Sequence, residues 1–472
     1  MRFTHLFVAG LSAAALLFQA CTTSASDEEI LSPYMDEDAF SRLPKTQQEL
    51  IFTNFFLQAM YVNAETEVKD VNKYLDEGAK NGFTEDDYEF PDVSYMYSTL
   101  SDNFTNYFSP YIAERIMNRL VYSESAAGIG ADFQEIVETS CSEFDGFCTN
   151  TSTLVFKHVY INGPADKAGV LKGDTLLMID GREPRNELHF RRLEAVFDAG
   201  ETIPFSIKRG EDTLVIMITF DEYFTPTVYV DSIESIPVIT VTEFTDTTTL
   251  VTGTYGEFVA ALEETAGAKS TIIDLRGNPG GTVEHCVNMA AEMLPKNDTI
   301  ITIISHTLDS ITEKPYIDTT TFITEEDGIG AGRYYVILAD SNSASCAELM
   351  VAGVVSNTKS PVVGQITYGK AIGQSYLPTI AGGLTGITSM RLLDKNGQTY
   401  QKYGIVPDFT ENDSTVAMQK AVVLAKDGTA QRTHGYGTVD KGHFTLAKKR
   451  GNKELDRGLF RIIRNPRELY KK

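Results

Sequence analysis

The feature that most narrows the fold of this chain is an alternation of short apolar runs with helix-spaced ones in its second half. Tyr255 to Ala266 reads as a helix and Thr271 to Leu275 as a strand, followed by the turn Arg276-Gly277-Asn278-Pro279-Gly280-Gly281. A helix with Val283, Cys286, Val287 and Ala290 inward comes next. Tyr334 to Ala339 (YYVILA) is a buried strand by the same reasoning, and Cys346 to Val355 a helix with Leu349, Ala352 and Val355 on one face. Ser232 to Asp246 reads as the strand that opens the domain. Strands alternating with helices at this spacing imply an α/β core.

The chemistry concentrates in Ser341 to Lys370, where Ser345 sits at a strand-to-helix turn. Free N–H groups and the positive end of a helix favour negative charge developing there. After a second apolar stretch, Pro361 to Val363, a loop carries Lys370 within reach of Ser345. A lysine is a base only when neutral, and its ordinary pKa is near ~10.4. Lowering it by about three units takes roughly 4 kcal/mol, which burial among apolar neighbours such as Ile366 and Ile372 can supply. A histidine base, His285 or His306, is the rival arrangement for a serine hydrolase.

The run SASCAE, the lysine 25 positions after Ser345, and GKAIGQ with Gln374 one helical turn beyond Lys370 resemble the C-terminal processing (tail-specific) serine peptidases. The resemblance implies Ser345 as nucleophile, Lys370 as general base and Gln374 as the residue that orients it, with no cofactor and no metal. It also implies a crotonase-like, ClpP-like α/β protease core. DLRGNPGG is similar to the family's glycine-rich turn, which implies an oxyanion hole from the N–H of Gly280 or Gly281 and that of Cys346. Cys346-Ala347 replaces the family's Ala-Ser, and Ala371 its second glycine. Asp274 and Arg276 are expected to pair beside the turn. MRLLDKNGQTYQKYGIVPDF, with an Asn-Gly turn at 396 and 397, resembles the end of the family's core, and Ser414 is then expected to cap a helix bearing Ala417, Ala421 and Leu424.

Residues 36–120 carry helical patterning without catalytic signals: Leu50, Phe52, Phe55, Phe56 and Met60 share a face, and apolar groups from Tyr95 to Phe108 recur at three and four. Between 121 and 222 the pattern changes to short strands. Gly128-Ile129-Gly130-Ala131-Asp132-Phe133 precedes a strand, and VYINGPADKAGVLKGDTLLMIDG resembles a PDZ domain. Such a domain adds a peptide as a strand and captures its terminal carboxylate on backbone N–H groups, here those of Gly128, Ile129, Gly130 and Ala131, with Phe133 in the groove. The expected division is a signal peptide at 1–20, a tether at 21–35, the helical region at 36–120, the PDZ domain at 121–222, the protease core at 223–425 and a basic tail at 426–472: a multidomain α+β protein.

The first twenty residues are too short for a membrane span and read as a secretory signal. Phe-Gln-Ala-Cys resembles a bacterial lipoprotein junction, which implies lipidation of Cys21 and a place in the cell envelope. That compartment permits disulfides. Cys141 and Cys148 flank an Asp-Gly turn and are expected to bridge, whereas Cys286 and Cys346 read as small buried residues in helices. No cysteine or histidine spacing indicates zinc. A net charge of -24 argues against nucleic acid as partner, since a face that binds phosphate must be basic. The tail from 426 runs the other way, with 13 Lys and Arg against 5 Asp and Glu, and reads as a basic segment lying on the acidic body or solvated. The expected function is a serine endopeptidase that grips the C-terminal tail of a protein and cleaves nearby. The alternative is a noncatalytic peptide- or lipid-binding protein on the same fold.

Overall fold

The computed structural model describes residues 37–85, 88–141, 148–309 and 314–438. Their contacts divide the chain into one unit of residues 119–268 and another combining 37–118 with 269–438. Residues 223–268, expected at the head of the protease core, thus count with the preceding segment, and the N-terminal helical region counts with the core.

In the larger unit, four parallel strands lie in the order Ser270–Asp274, Tyr334–Ala339, Val362–Gly364, Phe409–Thr410. Tyr335 through Ala339 are all buried, which is why that strand reads as an unbroken apolar run rather than an alternating one. The helix Ser414–Asp427 packs on the first three strands with Ala417, Ala421 and Leu424 buried. Its cap is Asp413, not Ser414: the Asp413 carboxylate accepts the N–H groups of Thr415 (2.9 Å) and Val416 (3.0 Å). Two carboxylate bonds outdo the single hydroxyl acceptor that the sequence offered one residue later.

A second, antiparallel sheet is organised on Leu384–Leu393, which pairs with Asn106–Phe108, Thr299–Leu308 and Ile372–Pro378; Pro315–Ile323 pairs with Thr299–Leu308. The helix Lys45–Met60 is buried on nearly every side from Glu49 onward, packing Phe52, Phe56 and Leu57 with Tyr97, Tyr107, Leu377 and Ile387. Its one buried carboxylate, Glu49, accepts from Tyr107 Oη (2.7 Å) and the Ala381 N–H (3.0 Å). The helical pattern expected across 95–108 stops at Ser98. Beyond it, Asp102 Oδ1 accepts the N–H of Phe104 (2.9 Å), an Asx turn that competes with the helix and leads into the strand Asn106–Phe108.

The smaller unit holds a five-stranded antiparallel sheet in the order Ala131–Cys141, Cys148–Val159, Thr175–Ile179, Thr202–Arg209, Asp212–Thr219. The helix Glu187–Glu194 and the short helix Pro164–Lys167 cover its apolar face, where Phe133, Phe156, Phe190, Phe205 and Phe220 gather. Ser232 to Asp246 is not one strand: it takes in the end of Val228–Ile233, a turn, and the antiparallel partner strand Ile236–Val241. Its two turn residues, Glu234 (φ 49°) and Ser235 (φ 66°), are both left-handed. Neither is the Asn or Gly that usually marks such a turn, so the sequence concealed it.

Candidate active site

Ser345 stands on a turn tied down from several sides. Asp340 Oδ1 accepts the N–H groups of Asn342 (2.9 Å), Ser343 (3.0 Å) and Gly277 (3.0 Å), and Ser343 Oγ donates to the Leu275 carbonyl (2.8 Å). Ser345 itself has φ 55° and ψ -114°, and the helix Cys346–Thr358 begins at the next residue. A non-glycine residue held there costs roughly 1–3 kcal/mol, strain of the kind that clusters at reactive positions.

The glycine turn is fastened to this serine turn by Asn278, which is fully buried. Its carbonyl accepts the Ala344 N–H (2.9 Å), and its Oδ1 accepts the Gly280 N–H (2.8 Å). Gly280 has φ +106°, and a Cβ there would meet Ser345 Cβ at 2.8 Å and the Cys346 nitrogen at 3.0 Å. Only glycine fits so close an approach. The Cys346 N–H, first in its helix, has no acceptor within that helix.

Glu348 joins the serine to the lysine. It is completely buried, and its Oε2 accepts both the Ser345 N–H (3.0 Å) and the Lys370 N–H (2.8 Å). Its Oε1 accepts the Gly369 N–H (2.7 Å) and the Thr367 hydroxyl. Burial pushes the Glu348 pKa up, and these four donors oppose that. The Lys370 amine donates to Gln374 Oε1 (2.8 Å) and lies 4.5 Å from the centre of the Phe104 ring. Burial of the amine lowers its pKa to about 8, against the opposing pull of the Asp102 and Glu348 carboxylates. Of the two expected neighbours, Ile372 is buried in the cluster beside it, together with Ala344, Tyr368 and Phe104, whereas Ile366 is 39% exposed.

Gln374 meets Lys370 by a route other than a helical turn. It lies in the strand Ile372–Pro378, where a register shift between Gly373 and Gln374 sets it opposite Thr388. Bulges of this kind re-aim a side chain. Gln374 Nε2 donates to Thr388 Oγ1 (3.1 Å), and Thr388 Oγ1 donates to Asp102 Oδ2. Asp102 also takes the Thr105 hydroxyl (2.7 Å). Lys370, Gln374, Thr388 and Asp102 therefore form one hydrogen-bonded line.

Residues 235–411 match the peptidase family S41. Over this part the chain is similar to that family. The "Probable CtpA-like serine protease" of Staphylococcus haemolyticus is 28% identical over 252 residues, 52% of this chain and 48% of that one. The "Carboxy-terminal processing protease CtpA" of Bacillus subtilis is 25% identical over 321 residues, 67% of this chain and 62% of that one. The chain thus spans about half the length of the first of these curated relatives and under two thirds of the second. The solved "Photosystem II D1 C-terminal processing protease" is 18% identical, with a TM-score of 0.45 over 83% of this chain and 99% of that one.

Within the matched region, the Asp274–Arg276 pair forms at 2.6 Å, and Arg276 reaches on to the Ser414 carbonyl (2.7 Å). His306 lies on the strand Thr299–Leu308 near Arg391 and Glu65, its pKa lowered by burial and by that arginine; His285 lies on the helix Val283–Glu292. Cys286 and Cys346, expected as separate buried thiols, are joined in a disulfide with Cα atoms 5.7 Å apart. The strand register sets Cys141 opposite Cys148, but their side chains lie outside the described residues, as does Cys21. Gly128, Ile129, Gly130, Ala131 and Phe133 belong to the smaller unit, at the head of the strand Ala131–Cys141. The first part of the expected basic tail, up to 438, is docked: Arg432 pairs with Asp408 (3.2 Å). Among the described residues no group of His, Cys, Asp or Glu is arranged for a metal ion, and no helix is long and apolar enough to cross a membrane.

Asp102, Phe104, Thr388 and Glu348 had no place in the sequence reading. Glu348 alone left a trace, as the last letter of SASCAE, three residues into a helix where a capping carboxylate belongs. Asp102 and Phe104 left none, because their meaning depends on a partner more than 260 positions away.

Proposed function

We propose that the protein is a serine endopeptidase acting near the C-terminal tails of other proteins. Ser345 Oγ attacks a peptide carbonyl while its proton passes to the neutral Lys370 Nζ. The C–N bond then breaks as Lys370 returns that proton to the leaving amine. Water, deprotonated in turn by Lys370, hydrolyses the acyl-enzyme. Backbone N–H groups hold the oxyanion: Cys346 supplies one and Gly281 the other, since the Gly280 N–H is already given to Asn278. The observation that carries this reading is the convergence of the Ser345 and Lys370 amides on Glu348 Oε2, with the lysine amine held down to about 8. Curated relatives described as serine proteases support it, over the part of the chain they cover.

The smaller unit is proposed to be the PDZ domain that takes the tail, with Gly128 to Phe133 at its carboxylate end. Cys21 is proposed to be lipidated, which tethers the protein in a bacterial envelope. The test is hydrolysis of an unfolded protein by the chain from residue 22, compared with Ser345→Ala, Lys370→Ala, His285→Ala and His306→Ala. Loss with the first two alone is expected. Full activity in Lys370→Ala with loss in a histidine variant overturns the base assignment, and tail binding without cleavage by the parent chain favours the noncatalytic reading.

A further inference from the structure

The groove proposed to hold a substrate tail already has two of its backbone groups engaged. A chain end that adds to the strand Ala131–Cys141 must give a carboxylate to the N–H groups of the glycine loop and an N–H to a strand carbonyl. At the head of that strand, the Ile129 N–H is donated to Glu194 Oε1 at 3.1 Å, in a buried position. The carboxylate lies against the loop, because a Cβ on Gly128 would fall 2.6 Å from the same oxygen. The carbonyl of Ala131, the first residue of that strand, accepts from Arg191 Nη2 at 3.2 Å. Arg191 and Glu194 are themselves paired, Nη1 to Oε2 at 3.0 Å, one turn apart on the helix Glu187–Glu194. The guanidinium rests on Phe133 and Phe190, 5.8 and 5.5 Å from the ring centres, so apolar packing holds the pair in place. Glu187 (3.4 Å) and Asp132 (3.6 Å) flank it.

We infer that Arg191 and Glu194 stand in for the last residue of a bound chain and decide which chain ends the groove accepts. Glu194 supplies the carboxylate and Arg191 the N–H donor that a terminal residue would otherwise bring. A ligand with a free C-terminal carboxylate displaces Glu194 from Ile129 and takes Arg191 as its own counter-ion. A ligand lacking that charge has nothing with which to compete. The pair is thus a specificity determinant for free tails over internal segments, and this rests on the proposed tail-binding role of the smaller unit.

The experiment uses the full chain from residue 22 carrying Ser345→Ala, so that peptide is bound and not cut. Calorimetry measures a decapeptide ending in alanine, as free acid and as C-terminal amide, against this parent, Glu194→Gln and Glu194→Ala. Melting curves establish that each variant is folded. Removing a charged competitor is expected to tighten the free acid about tenfold or more in Glu194→Ala and less in Glu194→Gln, leaving the amide within about twofold. Free-acid binding that is unchanged or weaker in both folded variants, while the parent still prefers acid to amide, overturns the role of Glu194 and leaves the tail-binding reading intact. Acid and amide binding alike in every variant overturns both.

Discussion

Lys370 is the base of the proposed mechanism, and its charge state can be read in two independent ways. With the amine at about 8, kcat/KM should rise with pH through that value and level off above it. Asp102 opposes the shift, so Asp102→Asn should move the rising limb to lower pH, because removing a nearby negative charge disfavours the ammonium. A limb that stays put or moves upward contradicts the line through Gln374 and Thr388. The same shift bears on stability. The unfolded chain holds this proton up to about 10.5 and the folded one only to about 8, so the buried lysine costs stability below 8, and the cost fades as pH rises to 10.5. Lys370→Met should therefore be inactive yet more stable at pH 7 by about 3 kcal/mol, a gain seen as a raised denaturant midpoint that vanishes near pH 10.5. Glu348 makes the contrasting case. A carboxylate with four donors accepts from all of them, whereas Glu348→Gln turns an NH2 group toward N–H groups that need an acceptor. Each buried group left unpaired costs about 1–3 kcal/mol. The variant should lose more than a hundredfold in kcat with a lowered melting temperature, and near-normal turnover would show that the carboxylate does not align the site.

At the scale of elements, the site is a meeting of two turn-helix units, and the Cys286–Cys346 disulfide locks them together. One cysteine lies in the first turn of the helix after the glycine turn, and the other is the residue next to Ser345. The bridge closes a loop of 60 residues, a constraint worth about 4 kcal/mol on the chain-entropy account. A dithiol reductant, itself oxidised to its cyclic disulfide as two thiols are released, should lower kcat more than it raises KM, because the proposed oxyanion donors and not the proposed substrate groove lose their alignment. A Cys286→Ala, Cys346→Ala double variant should be less stable by about 2–4 kcal/mol and indifferent to the reductant. Reductant sensitivity that survives in the double variant would trace the effect to other cysteines. The parallel strands and the helices after each turn were legible in sequence because their signals are local: unbroken apolar runs, a glycine cluster, helical spacing. The Glu234-Ser235 hairpin was not, since two left-handed residues without glycine give no mark. The disulfide was hidden for a related reason: its halves sit on separate helices, while the pair flanking an Asp-Gly turn drew attention to itself.

Across the whole molecule, what stayed illegible is the part of the site supplied from far away in the chain. Motifs of a few residues carried Ser345, Lys370 and the glycine turn, but the amine's surroundings depend on residues 102–105, read as part of a helical segment without chemistry. They arrive because the helix Lys45–Met60 and the strand Asn106–Phe108 share one apolar core with Leu377 and Ile387, beside the strand that bears Gln374. Phe104 is the point where that arrangement touches the proposed base. Its ring covers the amine, and opening that cover to water reverses the largest influence on the lysine, burial, more than it removes the smaller attraction of a cation for a ring face. In Phe104→Ala the lysine pKa should rise toward its ordinary value. Cleavage at pH 7.5 should then fall by about tenfold for each unit of rise and recover when the assay is moved toward pH 10. Recovery separates this outcome from simple unfolding, which alkaline assay would not repair. If Phe104→Ala melts normally and keeps the parent pH profile, residues 102–105 serve only to brace the sheet, and the low pKa of the lysine comes from the peptidase core alone.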